Sequence, residues 1–270
     1  MKVLVLGASG FLGNKIFHRM MYEQGVEVLG TCFQSSSEYN LIKVDITNEE
    51  EAKSILGNFR PDIIIWSLIS RQSEKHLIEV GVNNILKYLV DDQKFVFMSS
   101  NAVFRGDNQN GYFKEEDEPK YKNSNEPLDL YANAKIDGER IVKQYKNYII
   151  IRPGAIYGQD INGKWDKRIS DLIDKLKANQ EVVKTENLFN SFVKVDELAN
   201  AIVELIKIDY KGIIHLGPFH KQSYYDYFID ISRMLSLNTN LIKSNKIDKS
   251  MDLSLDTSKS KVILGNVFSK

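Results

Sequence analysis

A doubly wound α/β fold, with a parallel sheet, helices on both faces and a small C-terminal lobe, is what this sequence predicts. Short apolar runs rich in β-branched residues alternate with longer amphipathic stretches, the pattern of parallel strands buried on both faces by crossover helices. The first run, Lys2–Leu6, feeds directly into a turn with Gly7, Gly10 and Gly13. Beyond Arg152 the alternation loosens, which marks where the regular sheet gives way to the lobe.

Taken in order, Lys2–Leu6 reads as a strand and Gly13–Gln24 as the amphipathic helix after it, followed by a strand at Glu27–Thr31. A third apolar run precedes Asp45 and a helix at Thr47–Leu56; Asp62–Trp66 is the next strand, with a helix at Leu77–Val90. Phe95–Ser99 is a strand, Leu130–Gln144 a helix and Tyr148–Arg152 a strand. Helices follow at Trp165–Ala178, Val195–Lys207 and Tyr224–Leu235, with a strand at Gly212–Leu216. This order gives a dinucleotide-binding, Rossmann-type domain over residues 1–153, completed by about 195–217, and a lobe from 154–194 and 218–270 over the strand ends. The polar stretch Asn108–Asn125 is the longest candidate loop, and long loops in compact domains are often binding segments.

The chain has 270 residues, enough for one α/β domain with an appendage. Lysine plus arginine and aspartate plus glutamate both total 36, so net charge gives no reason to expect a nucleic-acid or membrane partner. A single cysteine, Cys32, excludes an internal disulfide framework and a Cys-rich zinc site. No cleavable signal pattern precedes Val3–Leu6 and no apolar run approaches the ~18–20 residues that span a bilayer. The expectation is a soluble cytoplasmic protein. His215 ends an apolar strand and reads as a core histidine; His18, His76 and His220 have no metal-ligand spacing. The aromatic run Tyr224–Phe228 reads as helix packing rather than base stacking.

Gly7-Ala8-Ser9-Gly10-Phe11-Leu12-Gly13 lies between a strand and a helix, where glycines permit a tight turn and close backbone approach to a pyrophosphate at a helix N-terminus. After the second strand the chain reads Thr31-Cys32-Phe33-Gln34-Ser35-Ser36-Ser37, with no carboxylate to bind a ribose 2′-hydroxyl and no arginine to clamp a 2′-phosphate. The missing carboxylate favours NADP, with the serines as donors, and leaves NAD open. Asp45-Ile46 either resembles the place where related dinucleotide-binding proteins hold adenine or precedes the helix at Thr47–Leu56 with Asp45 as its cap.

Phe95–Met98 ends in Ser99-Ser100-Asn101, and ligands of open parallel sheets bind at the carboxyl ends of the strands. Tyr131 and Lys135 stand four residues apart on the following helix, hence on one face. A phenol beside an ammonium can give a proton to a carbonyl oxygen that receives a hydride.

The glycine turn, Ser100 and Tyr131/Lys135, in this order and at these separations, resemble the extended short-chain dehydrogenase/reductase family. Ser99–Gly106, Pro127–Glu139, Arg152-Pro153-Gly-Ala155-Ile-Tyr157-Gly158 and the terminal Leu253-Ser-Leu-Asp-Thr-Ser-Lys259 resemble its dTDP-4-dehydrorhamnose reductase branch, over essentially the whole chain. The resemblance implies a reductase of a nucleotide-linked 4-keto-6-deoxy sugar in deoxysugar biosynthesis. Ser100 would then hydrogen-bond the ketone, Tyr131 would protonate the alkoxide, and Lys135 would hold the nicotinamide ribose while favouring the phenolate. It also implies that Gly7, Ser9, Gly10, Phe11, Leu12, Gly13, Asp45, Ile46, Ser67, Leu68 and Pro153 line the cofactor, and it matches Asn83 to the family's helix asparagine. Around the sugar the chain departs from the branch: Asn101-Ala102 replaces Asp-Tyr, Ala155 stands where tryptophan is frequent, and Trp66-Ser67-Leu68 replaces Asn-Ala-Ala. Arg71, Lys164, Lys167 and Arg168 are the cations within reach of a diphosphate.

Two other activities fit the same motifs. Arg152–Gly158 and Ser99–Val103 equally resemble sugar-nucleotide epimerases with tightly held NAD, and the branch includes a regulatory subunit of methionine adenosyltransferase, which implies a non-catalytic NADP-binding module. A 4,6-dehydratase would need an Asp-Glu pair where Asn101-Ala102 stands. Related enzymes often dimerise through helices of the Rossmann domain, so a homodimer is compatible with the resemblance.

Overall fold

The computed structural model describes residues 1–34, 40–70, 72–90, 92–106 and 111–269. Its strands are β1 (Lys2–Leu6), β2 (Glu27–Cys32), β3 (Ile42–Lys43), β4 (Ile63–Trp66), β5 (Lys94–Met98), β6 (Tyr148–Pro153), β7 (Ala155–Tyr157), β8 (Val182–Thr185), β9 (Leu188–Asn190), β10 (Phe192–Lys194), β11 (Gly212–Leu216), β12 (Gln222–Ser223), β13 (Ile242–Asn245) and β14 (Met251–Asp252). The helices are α1 (Phe11–Met21), α2 (Glu49–Phe59), α3 (Glu74–His76), α4 (Asn83–Lys87), α5 (Pro127–Val142), α6 (Lys167–Lys177), α7 (Val195–Lys207), α8 (Tyr224–Met234) and α9 (Ser258–Leu264).

Seven strands form one sheet in the order β11-β6-β5-β4-β1-β2-β3, and each neighbouring pair is parallel. The order in which the chain adds strands reverses between β1 and β4, which lie parallel with their last residues Leu6 and Trp66 paired. Such a switch point opens a crevice at the strand ends. Alternation along the strands feeds two cores. Val3, Val5, Val96 and Ile151 point towards α1 and α7, while Leu4, Leu6, Phe97 and Ile150 point towards α2, α4 and α5. Leu198, Ile202 and Leu205 of α7 are fully buried, each stabilising the fold by about 1.5–3 kcal/mol.

The remaining strands pair in small sheets: β10 with β7, β12-β9-β14, and β13 with β8. Around them Ile169 and Leu172 of α6, and Tyr227 and Phe228 of α8, build a separate core. Tyr227 stacks on Phe192 at 3.8 Å between ring centroids, so the aromatic run of α8 is packing, as its sequence suggests. Buried His215 fits its core assignment: Nδ1 lies 3.1 Å from the Asp256 carbonyl and Nε2 has no partner. The loop from 111 to 126 is tied down by backbone bonds between Phe113 and both Ser254 and Asp256.

Helix bounds differ from expectation by up to three residues at several ends. The helix expected at Leu77–Val90 starts earlier, at Glu74, and passes through a π-helical segment at Leu77–Val82. There Gly81 packs beneath Trp66 and Ile46, leaving no room for a side chain. The helix expected at Thr47–Leu56 is Glu49–Phe59, capped by Asn48, which accepts from the Glu50 and Glu51 N–H groups. Asp45 instead folds onto Thr47, accepting from its N–H at 2.9 Å and its hydroxyl at 2.7 Å.

Candidate active site

At the end of β1, Gly7 turns the chain with φ of 85°, and the Gly10 N–H closes the turn on the Gly7 carbonyl at 2.9 Å. A Cβ on Gly13 would lie 2.3 Å from that carbonyl oxygen, and one on Gly10 would lie 3.2 Å from it. Only glycine at 13 lets α1 begin so close to β1. The α1 N-terminus has no side-chain cap and no acidic residue in its first turn, so its N–H groups and positive dipole end are free for an anion. That glycine cradle fits a dinucleotide pyrophosphate. Ser67 Oγ and the Leu68 side chain reach within 3.2 and 3.0 Å of the Gly13 and Gly7 Cβ positions, so β4 brings both to the same turn. Ser9 is exposed and Phe11 half-buried, whereas Leu12 points into the core and can offer a ligand only its backbone.

At the carboxyl end of β2 stand Cys32, which is buried, and Phe33, which is half exposed; the serines at 35–37 fall outside the described residues. Ile46 is buried, and the amide of buried Asn84 donates to the Ile46 and Thr47 carbonyls at 3.0 and 3.1 Å. Asn84 therefore shapes this segment. Asn83 donates to the Glu79 carbonyl of its own helix at 2.6 Å.

Pro127, in the first turn of α5, has φ preset for a helix start. Farther along, Gly138 packs against the Phe97 ring, where a Cβ would lie 2.4 Å from Cζ. This close approach carries Lys135, almost fully buried, over β5: its Nζ lies 5.2 Å from the Phe97 ring centroid and 5.4 Å from that of Tyr131. The same ammonium lies 2.9 Å from Glu74 Oε1, close but without the alignment of a hydrogen bond. Glu74 Oε2 accepts from the Ser70 N–H at 2.5 Å.

Two hydroxyls end β5 and their partners separate them. Ser99 Oγ donates to Glu139 at 2.6 Å, and Glu139 forms a bidentate pair with fully buried Arg152 at 2.8 and 2.6 Å. The Ser100 oxygen accepts from the Ala102 N–H at 3.1 Å. A hydroxyl has one proton to give; this bond leaves that of Ser100 free for a carbonyl. α5 also packs against the turn at Asn101–Val103 that follows Ser100.

Asn101 spends its amide donors on Asn190 Oδ1 at 2.7 Å and the Leu253 carbonyl at 2.8 Å. It ties β5 to the lobe and to the closing segment. Ala102 is buried in the same turn. Ala155 donates its N–H to the Ser191 carbonyl at 2.8 Å, and Pro153 is buried at the end of β6. A cavity of about 1070 Å³ opens beside α5, with Ile69, Glu74, Tyr121, Leu130, Tyr131 and Arg168 on its wall. Arg168 is anchored by the Ile156 carbonyl and by Asp166. Lys164 and Lys167 are exposed, and Arg71 lies outside the described residues. Of the cavity's two phenols, Tyr121 donates to Asp137, and burial together with that bond pushes it up to about 12. Tyr131 is the one set beside an ammonium.

Sequence reasoning missed Glu74, Asn84, Asn190 and the Glu139–Arg152 pair. Arg152 carried a signal, a cation closing an apolar strand, and Glu139 stands one helical turn after Lys135. Nothing adjacent in sequence marks Glu74 as buried. Among the described residues no cluster of three or more His, Cys, Asp or Glu would hold a metal, and no helix is long and apolar enough to cross a membrane.

A switch-point sheet, a glycine cradle at a bare helix N-terminus and a Tyr-x-x-x-Lys helix beside a serine-tipped strand define an extended short-chain dehydrogenase/reductase. The family model that matches is described as the NAD dependent epimerase/dehydratase family and covers residues 3–217; the chain belongs to that family. It is 25% identical over 288 residues to GDP-6-deoxy-D-talose 4-dehydrogenase of Aggregatibacter actinomycetemcomitans, covering 98% of this chain and 92% of the relative. It is also 25% identical over 244 residues to methionine adenosyltransferase 2 subunit beta of Xenopus laevis, covering 83% of this chain and 69% of the relative. The crystal structure of a hypothetical dTDP-4-dehydrorhamnose reductase from Sulfolobus tokodaii superposes with a TM-score of 0.83 at 24% identity, covering 100% of this chain and 97% of that one.

Proposed function

We propose that the chain is an NAD(P)H-dependent reductase of a nucleotide-activated 4-keto-6-deoxy sugar, similar to dTDP-4-dehydrorhamnose reductase and acting in the cytoplasm. The observation that carries this reading is Tyr131 beside the buried Lys135 ammonium, on the helix that packs against the turn after Ser100. The talose 4-dehydrogenase relative and the dehydrorhamnose reductase neighbour support 4-keto-sugar chemistry. When bound, the cofactor supplies the hydride. Ser100 donates its free proton to the ketone oxygen and fixes it, Tyr131 gives its proton to that oxygen as charge develops, and Lys135 stabilises the phenolate left behind. The glycine turn with Ser9, Phe11, Ser67 and Leu68 holds the dinucleotide, Asp45 and Ile46 border its adenosine half, and Arg168 serves the substrate diphosphate. The lack of a carboxylate at Phe33 and Gln34 favours NADP, with NAD as the alternative.

The test is absorbance decay of NADPH and of NADH with the purified protein and dTDP-4-keto-6-deoxyglucose, with and without a 3,5-epimerase. Decay supports the reductase reading, and its dependence on the epimerase identifies the sugar epimer. Absence of decay with tightly bound NAD in the purified protein would favour an epimerase. Cofactor binding without turnover across a ketosugar panel would favour a regulatory module, to which the adenosyltransferase subunit relative gives weight.

A further inference from the structure

We propose that Glu74 is a positioning residue of the reacting centre, holding the Lys135 ammonium beside Tyr131 as its counter-charge. The inference rests on the reading of Tyr131 and Lys135 as the proton-donating pair. An ammonium as buried as that of Lys135 needs a counter-charge, and Glu74 provides one at 2.9 Å. The carboxylate does not drift, because its other oxygen is held by the Ser70 N–H and α3 packs directly on α5. Glu74 also shares a cavity wall with Tyr131, while Lys135 lies behind them.

The electrostatics follow from this order. A lone ammonium beside a phenol favours the phenolate; a carboxylate against the ammonium cancels part of that field. Other charges nearby are already committed. On α3, Lys75 pairs with Glu79 of the π-helical segment at 3.6 Å and His76 is exposed. On α5, Asp137 is bonded by Tyr121, the Arg140 guanidinium donates to the Tyr121 oxygen at 2.8 Å, and Glu139 is closed on Arg152 of β6. From α6, Arg168 is held by Asp166 and the Ile156 carbonyl. β5 presents Phe97 here, and its one lysine, Lys94, begins the strand at the opposite end. Among the described residues, Glu74 is the acidic group set against Lys135.

The experiment compares wild type, Glu74→Gln and Glu74→Asp by calorimetric NADPH titration, thermal unfolding and, where the wild type reduces a ketosugar, steady-state kinetics. Glutamine keeps the shape and one acceptor oxygen and removes the charge. With the ammonium no longer held, Glu74→Gln should weaken NADPH binding about tenfold and lower kcat with the ketosugar KM unchanged. Glu74→Asp, which keeps the charge at shorter reach, should lose less of both and serves if Glu74→Gln does not fold. A lowered Tm in both variants with wild-type NADPH affinity and kcat would mark a merely structural role and overturn the inference even with an active wild type. Weakened NADPH binding in Glu74→Gln with a wild type that turns over no ketosugar would sustain it and overturn the catalytic reading instead.

Discussion

Replacing Gly13 by alanine tests the cofactor cradle most directly, because the structure assigns it a steric cost before any ligand is considered. The new Cβ would stand 2.3 Å from the Gly7 oxygen and 2.9 Å from its carbonyl carbon. An ordinary carbon–oxygen contact is about 3.3 Å, so helix and turn must part by roughly 1 Å. Overpacking of that kind costs about 1–3 kcal/mol, and at roughly 2–4 °C per kcal/mol for a chain near this size the Tm falls by roughly 2–12 °C. The same movement misaligns N–H groups that would meet a pyrophosphate. Losing one charge-assisted bond of about 1.5–3 kcal/mol weakens NADPH binding roughly ten- to hundredfold. Gly10→Ala provides the control, since its Cβ meets the same oxygen at 3.2 Å: the fold absorbs it, and the methyl group intrudes where the ligand approaches. Thermal unfolding and calorimetric NADPH titration should therefore separate the two, with Gly13→Ala losing stability and binding and Gly10→Ala losing mainly binding. A Gly13→Ala protein with wild-type Tm and affinity would refute the close-approach argument, and a Gly10→Ala protein that binds normally would refute the position of the pyrophosphate.

Tyr131→Phe should lower turnover by about 10²–10⁴-fold with NADPH affinity unchanged, as read by steady-state kinetics and titration; undiminished turnover would remove Tyr131 from the mechanism. Ser100→Ala should cost turnover and little stability, whereas Ser99→Ala should cost about 1.5–3 kcal/mol in denaturant unfolding by leaving buried Glu139 short of a donor, with turnover retained. His215 is held neutral by burial and by the Arg152 charge, down to about 3. The unfolded chain therefore binds a proton that the folded chain does not between about pH 6.5 and pH 3, and stability falls as pH drops through that window. Between pH 7 and 5 this amounts to about 2 kcal/mol, and unfolding of His215→Gln should show a correspondingly shallower pH dependence.

The sheet was legible because β1, β4, β5 and β6 are continuous apolar runs that only a doubly covered parallel sheet accommodates, and α7 and β11 fall at the residues read from periodicity. Boundaries moved where a single side chain decides them. Asn48, rather than Asp45, caps α2, and Pro127 starts α5 three residues before its apolar pattern begins. The π-helical segment had no sequence signal, since it answers to the packing of Gly81 under Trp66. Around the centre, local spacing revealed partners that share one element, such as Tyr131 and Lys135. It was silent on Glu74, which meets Lys135 across 61 positions of sequence, from another helix.

The same distinction explains the departures around the sugar. Asn101, set where the resembling branch has an aspartate, joins Asn190 and Leu253, and the closing segment it holds also carries Asp256, which receives His215, and Lys259, which lies 3.1 Å from Glu116. Asn101, which reads as a lost substrate contact, is in this chain a fastener between the sheet and its lobe. Adjacent positions are thus divided: the Ser100 oxygen accepts from the Ala102 N–H and keeps its proton unspent, while Ser99 and Asn101 on either side have spent theirs on the fold.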